Sequence, residues 1–219
     1  MRDRRVGAQA IVFDFDGTIV DTETTLFQAY AETFELHGQV LDRVRWLEII
    51  GTNDDWDPLH DLTQLVDGLD LEATHAHRRT RRDELIDLAG VRPGVLRWMD
   101  DADELGVPMG IASSSPIDWV EQHLDRLGLL ERFACFACCN DVIPAKPDPT
   151  SYRLACETLH ADPRRSIAVE DSPHGIAAAK DAGLYVVAVP HDLTRELDLS
   201  RADAIVGSLD DLSLSDLVG

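Results

Sequence analysis

Six short apolar runs punctuate the chain, at residues 10–13, 107–112, 133–139, 166–169, 184–189 and 204–206, and segments of helix length separate most of them. Strand, tight turn and helix therefore recur, which predicts an α/β fold: a doubly wound, Rossmann-like parallel sheet. In such a sheet the ligand site lies outside the carboxyl ends of the strands. Polar clusters fall at those ends. Asp14-Phe15-Asp16-Gly17-Thr18 follows the first run, Ser113-Ser114-Ser115 the second, and Glu170-Asp171-Ser172 the fourth. Lys146 lies in the loop Ile143-Pro144-Ala145-Lys146-Pro147. All four segments are expected to converge on one crevice.

Helix punctuation is readable. Ser115 is expected as an N-cap, with Pro116 at the first helical position and Asp118 behind it, in a helix that stops at Gly128. Ser172-Pro173 opens another helix, which continues through Ala177-Ala178-Ala179 to Gly183. Residues 22–88 differ from the rest. They contain no strand-like run, and their apolar residues recur at helical spacing (Leu26, Phe27, Tyr30, Phe34; later Leu62, Leu65, Val66, Leu69). A simple crossover needs far fewer residues. The expected organisation is an α/β core, residues 1–21 and 89–219, with an inserted α-helical cap domain, residues 22–88.

Composition limits the partners. The chain of 219 residues carries 20 Lys+Arg against 41 Asp+Glu, a formal charge of −21. Such a surface repels nucleic acid, and any anion site must be built locally against that field. No apolar run approaches bilayer length and no signal-peptide core follows Met1-Arg2-Asp3-Arg4-Arg5, so no membrane partner is expected. Cys135 and Cys138 form a Cys-x-x-Cys pair, with Cys139 and Cys156 nearby in the sequence. No second pair and no neighbouring His completes a metal site, so these read as buried, inert thiols of a reduced, cytoplasmic compartment. No obligatory protein partner is evident.

The polar clusters have a chemical logic. Asp14 and Asp16, two apart in extended chain, point to one side. With Asp171 they offer hard oxygen ligands suited to Mg²⁺. A carboxylate attacking an anionic phosphoryl group meets charge repulsion, which Mg²⁺ and Lys146 relieve while Ser113 and backbone N–H groups hold the phosphoryl oxygens.

Asp14-Phe15-Asp16-Gly17-Thr18-Ile19-Val20-Asp21, then Ser113 after a strand, then Lys146, then Glu170-Asp171-Ser172-Pro173-His174-Gly175 resemble, in order and spacing, the four motifs of the haloacid dehalogenase (HAD) superfamily. The similarity is to the branch with a helical cap between the first two motifs, which holds β-phosphoglucomutases and sugar phosphatases. This resemblance implies that Asp14 is the nucleophile that forms an aspartyl-phosphate, and that Asp16 is the general acid and base. It implies that Ser113 and Lys146 grip the phosphoryl group. It also implies that Asp14, the backbone carbonyl of Asp16, and Asp171 ligate Mg²⁺, with Glu170 a further ligand or a partner behind the ligands.

Within that superfamily, metal-independent dehalogenases lack the second aspartate, present here as Asp16, and phosphonate-cleaving members need a cap lysine, absent from residues 22–88. Mutases carry a His five residues after the last Asp of the first motif, where this chain has Leu26. They carry a cap Arg where this chain has Ile50-Gly51-Thr52-Asn53-Asp54-Asp55, and a Lys where it has Ser115-Pro116. The reading is a Mg²⁺-dependent phosphatase acting on a small phosphorylated metabolite, a sugar phosphate or similar monoester. The alternatives are a β-phosphoglucomutase-like enzyme and a silent phosphate-binding protein on the same fold. Ser114, Glu23 and Asn53 are the expected substrate contacts, with surface or capping roles open for Glu23, Thr52 and Asn53. The basic run from His75 to Arg82 either holds an anionic substrate tail or forms a solvated helix face, the latter being favoured. The four tryptophans read as packing, and His174 as helix N-terminal surface.

Overall fold

The computed structural model describes residues 6–52, 56–140 and 143–218. Strands β1 (Ala10–Phe13), β2 (Met109–Ser113), β3 (Cys135–Cys138), β4 (Ser166–Glu170), β5 (Tyr185–Ala188) and β6 (Ala204–Ile205) form one parallel sheet in the order β3-β2-β1-β4-β5-β6. The helices are α1 (Thr22–Leu36), α2 (Arg43–Ile49), α3 (Pro58–Leu65), α4 (Leu71–Leu88), α5 (Val95–Leu105), α6 (Ile117–Arg126), α7 (Thr150–Thr158), α8 (Pro173–Ala182) and α9 (Ser215–Val218).

Alternate strand residues face opposite cores, which is why the runs are apolar throughout. Ile11, Phe13, Ile111, Ile167 and Val169 pack with Trp98 and Met99 of α5 and Val120 and Leu124 of α6. Val12, Ala112, Ala168 and Val186 pack on the other side with Tyr152 and Ala155 of α7 and Ile176 and Ala179 of α8. The sheet order reverses at β1, whose neighbours are β2 and β4. That switch point opens a crevice at the carboxyl ends.

Three strands, β2, β3 and β5, start later than their apolar runs suggest. Pro108 has no N–H to donate, so β2 begins at Met109. At the other end two strands run one residue further than expected. Ser113 pairs with Cys138 and Glu170 with Ala188, so both are the last residues of their strands and are fixed at the sheet rim.

Helices α1 to α4 surround a core of their own, built from Phe34, Leu41, Trp46, Ile50, Leu59 and Leu62 and joined by Leu193 from beyond β5. Trp46 packs against the rings of Phe27, Tyr30 and Trp56 at 5.3–6.2 Å between centroids. Leu65, expected in this stripe, is instead exposed at the end of α3. Each of the four helices opens on an aspartate, Asp21, Asp42, Asp57 or Asp70, whose side chain accepts a first-turn N–H. Part of the acidic excess is thus capping, at about 1 kcal/mol per helix.

Ser172 caps α8 by accepting the Gly175 N–H at 3.1 Å. By contrast Ser115 does not cap α6: Pro116 occupies that position without a side-chain bond, and the Ser115 hydroxyl is drawn to Asp16 instead. Cys135, Cys138 and Cys156 are buried and Cys139 is half-buried, all as free thiols. Burial pushes Cys135 up to about 11 and Cys138 up to about 12, which keeps them unreactive. No helix among the described residues is long and apolar enough to cross a membrane.

Candidate active site

The rim of the sheet brings Asp14, Lys146 and Glu170 together. Lys146 is 3% exposed, and its Nζ donates to Asp14 Oδ1 and, at 2.6 Å, to Glu170 Oε1. Burial works to lower this amine, but Asp14 and Glu170 overcome it and hold it above its ordinary value. Glu170 is fully engaged. Its Oε1 also accepts the Tyr152 hydroxyl at 2.7 Å, and its Oε2 accepts the Asp171 N–H at 3.1 Å. A side chain at Gly175 would put Cβ 1.9 Å from Glu170 Oε1, so only glycine lets α8 approach this closely.

Burial pushes the Asp14 carboxyl well above its ordinary value against the pull of Lys146, while Glu170, Asp171 and Asp16 push the same way as burial. Asp14 Oδ2 is buried and has no hydrogen-bond partner. Oxygens of Asp14, Glu170 and Asp171 all lie within 4.8 Å of one another. Asp16 is outside this group, because its carboxylate turns toward other partners.

Asp171 is held from both sides. Its Oδ1 accepts the Thr18 hydroxyl at 3.2 Å, and its Oδ2 lies 3.0 Å from His191 Nε2. Leu193 N–H donates to His191 Nδ1 at 3.3 Å, which leaves the proton on Nε2, facing Asp171. Gly17, at φ +78°, sits against this pair with room for no Cβ. Arg92, at the return from the helical insert, donates to the carbonyl oxygens of Gly17, Val189 and Pro190, binding the loop after β1 to the loop after β5.

Asp16 Oδ1 accepts the Thr22 hydroxyl at 2.7 Å and the Trp119 indole N–H at 3.0 Å, and Oδ2 accepts the Ser115 hydroxyl at 2.7 Å. Beside it opens a cleft of about 410 Å³, between α1 and α4 on one side and α6 on the other. That volume lies in the range of small-molecule sites. Glu23 lines it, and burial, then Asp16, Asp171 and Asp21, push its carboxyl well above the ordinary value.

Ser113 Oγ accepts the Ser115 N–H at 3.0 Å at the end of β2. Ser114 does not line the cleft: its hydroxyl donates to the Gly51 carbonyl at 3.0 Å and accepts the Lys146 N–H at 3.1 Å, linking insert, core and lysine loop. Asn53 lies outside the described residues. His174 is not mere surface, since Nδ1 meets the Ile50 carbonyl at 3.0 Å between core and insert. The basic run of α4 also departs from a solvated face. Arg78 is buried 4.7 Å over the Tyr30 ring and Arg82 lies 5.0 Å over the Trp119 ring, because both aromatic faces attract a guanidinium.

Residues 8–183 match the protein family described as haloacid dehalogenase-like hydrolase. The chain belongs to that family. Among similar proteins, YhcW of Bacillus subtilis is 37% identical over 208 residues, covering 94% of each chain. The phosphorylated carbohydrates phosphatase of Thermotoga maritima is 28% identical over 200 residues, covering 90% of this chain and 92% of its own. Of solved structures, CbbY from Rhodobacter sphaeroides in complex with phosphate has a TM-score of 0.75 at 29% identity, covering 96% of this chain and 99% of its own. A mutant of CbbY in complex with xylulose-(1,5)bisphosphate aligns with the same TM-score at 30% identity and the same coverage. These matches place the chain among haloacid dehalogenase-like hydrolases whose relatives include named phosphatases.

His191, Arg92, Tyr152 and Trp119 are the site residues that sequence reading missed. The only signal for His191 was its position just past the fifth strand, at the end of the sheet where the other clusters gather.

Proposed function

We propose that this hydrolase cleaves a small phosphate monoester, a sugar phosphate, through an aspartyl-phosphate on Asp14, with Mg²⁺ bound beside it. The observation that carries the reading is the buried Asp14 Oδ2, which has no partner while Oδ1 is taken by Lys146. Three carboxylates crowded at the sheet rim with one lysine among them fit a hard divalent cation, and the orphaned oxygen needs one. Asp14 and Asp171 would hold Mg²⁺ with the backbone carbonyl of Asp16. Glu170 stands behind them, where it accepts from the Lys146 ammonium, the Tyr152 hydroxyl and the Asp171 N–H. The cation, when bound, neutralises charge on the transferring phosphoryl group.

The chain's own groups do the rest. An Asp14 carboxylate oxygen attacks phosphorus as the ester P–O bond breaks, and Asp16 gives its proton to the departing alkoxide. Asp16 then takes a proton from water, whose oxygen attacks phosphorus, releasing phosphate and restoring Asp14. Lys146 and Ser113 hold the phosphoryl oxygens through both steps. The helical insert, residues 22–88, serves as a cap that excludes water and shapes the leaving-group pocket, where Glu23 contacts the sugar. The phosphatases among the relatives support this reading.

Phosphate release from a panel of metabolite phosphates, with Mg²⁺ and with EDTA, tests it. Release that needs Mg²⁺ is expected. Interconversion of glucose 1- and 6-phosphates without release would overturn it in favour of a mutase, and silence would favour a binding protein.

A further inference from the structure

The cleft beside Asp16 receives whatever leaves when the phosphoryl group is transferred, so its charge selects the substrate. Three carboxyl groups line it, those of Asp16, Glu23 and Asp118. Among the described residues that line it, Arg82 is the one cation. Its guanidinium is already engaged: Nε donates to Asp83 at 2.8 Å, a second nitrogen lies 2.6 Å from the same oxygen, and the group lies over the Trp119 ring. The other side chains are hydroxyls, the Gln122 amide and apolar groups, which suit the hydroxyls and C–H faces of a carbohydrate.

From this juxtaposition we infer that the site takes phosphate esters of neutral polyhydroxylated compounds and discriminates against substrates bearing a second anion, whether a second phosphate or a carboxylate. A second anion would lie beside the Asp118 carboxylate and find, among the described lining residues, no uncommitted cation to meet it, and an anion left in that way is disfavoured. The inference rests on the proposed phosphatase reading, and it separates this chain from the relative solved with a bisphosphate.

The test compares a hexose 6-phosphate with the 1,6-bisphosphate of the same hexose, in two measurements on the full chain. In turnover the bisphosphate should have kcat/KM at least about tenfold lower, mainly through KM, with the gap narrowing as salt screens the field. In D118N the gap should shrink several-fold. Calorimetric binding of the same two compounds to D14N should show the same preference. Equal handling of both in binding, or an Asp118→Asn variant with an unchanged ratio, would overturn the inference. Discrimination in binding with no turnover by the parent would remove the phosphatase reading and leave the preference for a neutral ligand standing.

Discussion

His191 Nε2 lies 3.0 Å from Asp171 Oδ2, and the Leu193 N–H on the far ring nitrogen fixes which tautomer faces the carboxylate. Together with Thr18 on the other oxygen, this holds the Asp171 carboxylate in one orientation. A ligand carboxylate positioned in this way binds metal more tightly than a free one. His191→Leu should therefore weaken Mg²⁺ binding by about 10- to 100-fold, read by calorimetry on the folded variant. Unchanged affinity would contradict the positioning role.

Arg92 serves three carbonyl oxygens on two loops through two nitrogens of one planar guanidinium. Arg92→Ala should cost about 2–3 kcal/mol in urea unfolding, because the stranded carbonyls keep their desolvation penalty. A variant with the parent's unfolding midpoint would show that the loops are held by other contacts.

Glu23 gives a pH signature. Its folded value is raised above the ordinary 4.5, so the folded state keeps a proton that the unfolded chain has already released. The contribution to stability is most favourable below about pH 4.5 and declines as pH rises toward the folded value. Glu23→Gln imitates the protonated form without that decline. Relative to the parent, the variant should gain stability as pH rises above about 4.5, and a difference that stays flat as pH rises would refute the assignment.

Gly175→Ala forces Cβ into the Glu170 carboxylate, which also anchors Lys146 and Tyr152. Destabilisation of about 1–3 kcal/mol is expected from the overpacking. Thermal unfolding would measure it, and an unperturbed midpoint would mean that α8 moves away freely.

The parallel sheet and the meeting of Asp14, Lys146 and Asp171 at its rim were legible because apolar runs and polar strand ends are local signals. Asp16 was legible as a residue but not in its surroundings. Trp119 meets it from 103 positions away and Ser115 from 99, and neither contact leaves a trace in spacing. Ser115 carried a good capping signal, but the Asp16 carboxylate competed for its hydroxyl and won. His191 and Arg92 escaped notice for a related reason: each acts on a distant loop that only the folded sheet brings near. Arg78 and Arg82 looked like solvated charge because a sequence does not show which aromatic face will lie beneath a guanidinium.

The most direct measurement is rapid quenching of the enzyme with a hexose phosphate labelled in its phosphoryl group, in parent and Asp14→Asn proteins. The account predicts transient label on the parent, in the peptide that contains Asp14, and none on the variant, whose turnover is also lost. Label on another residue, or turnover retained by the variant, would contradict it.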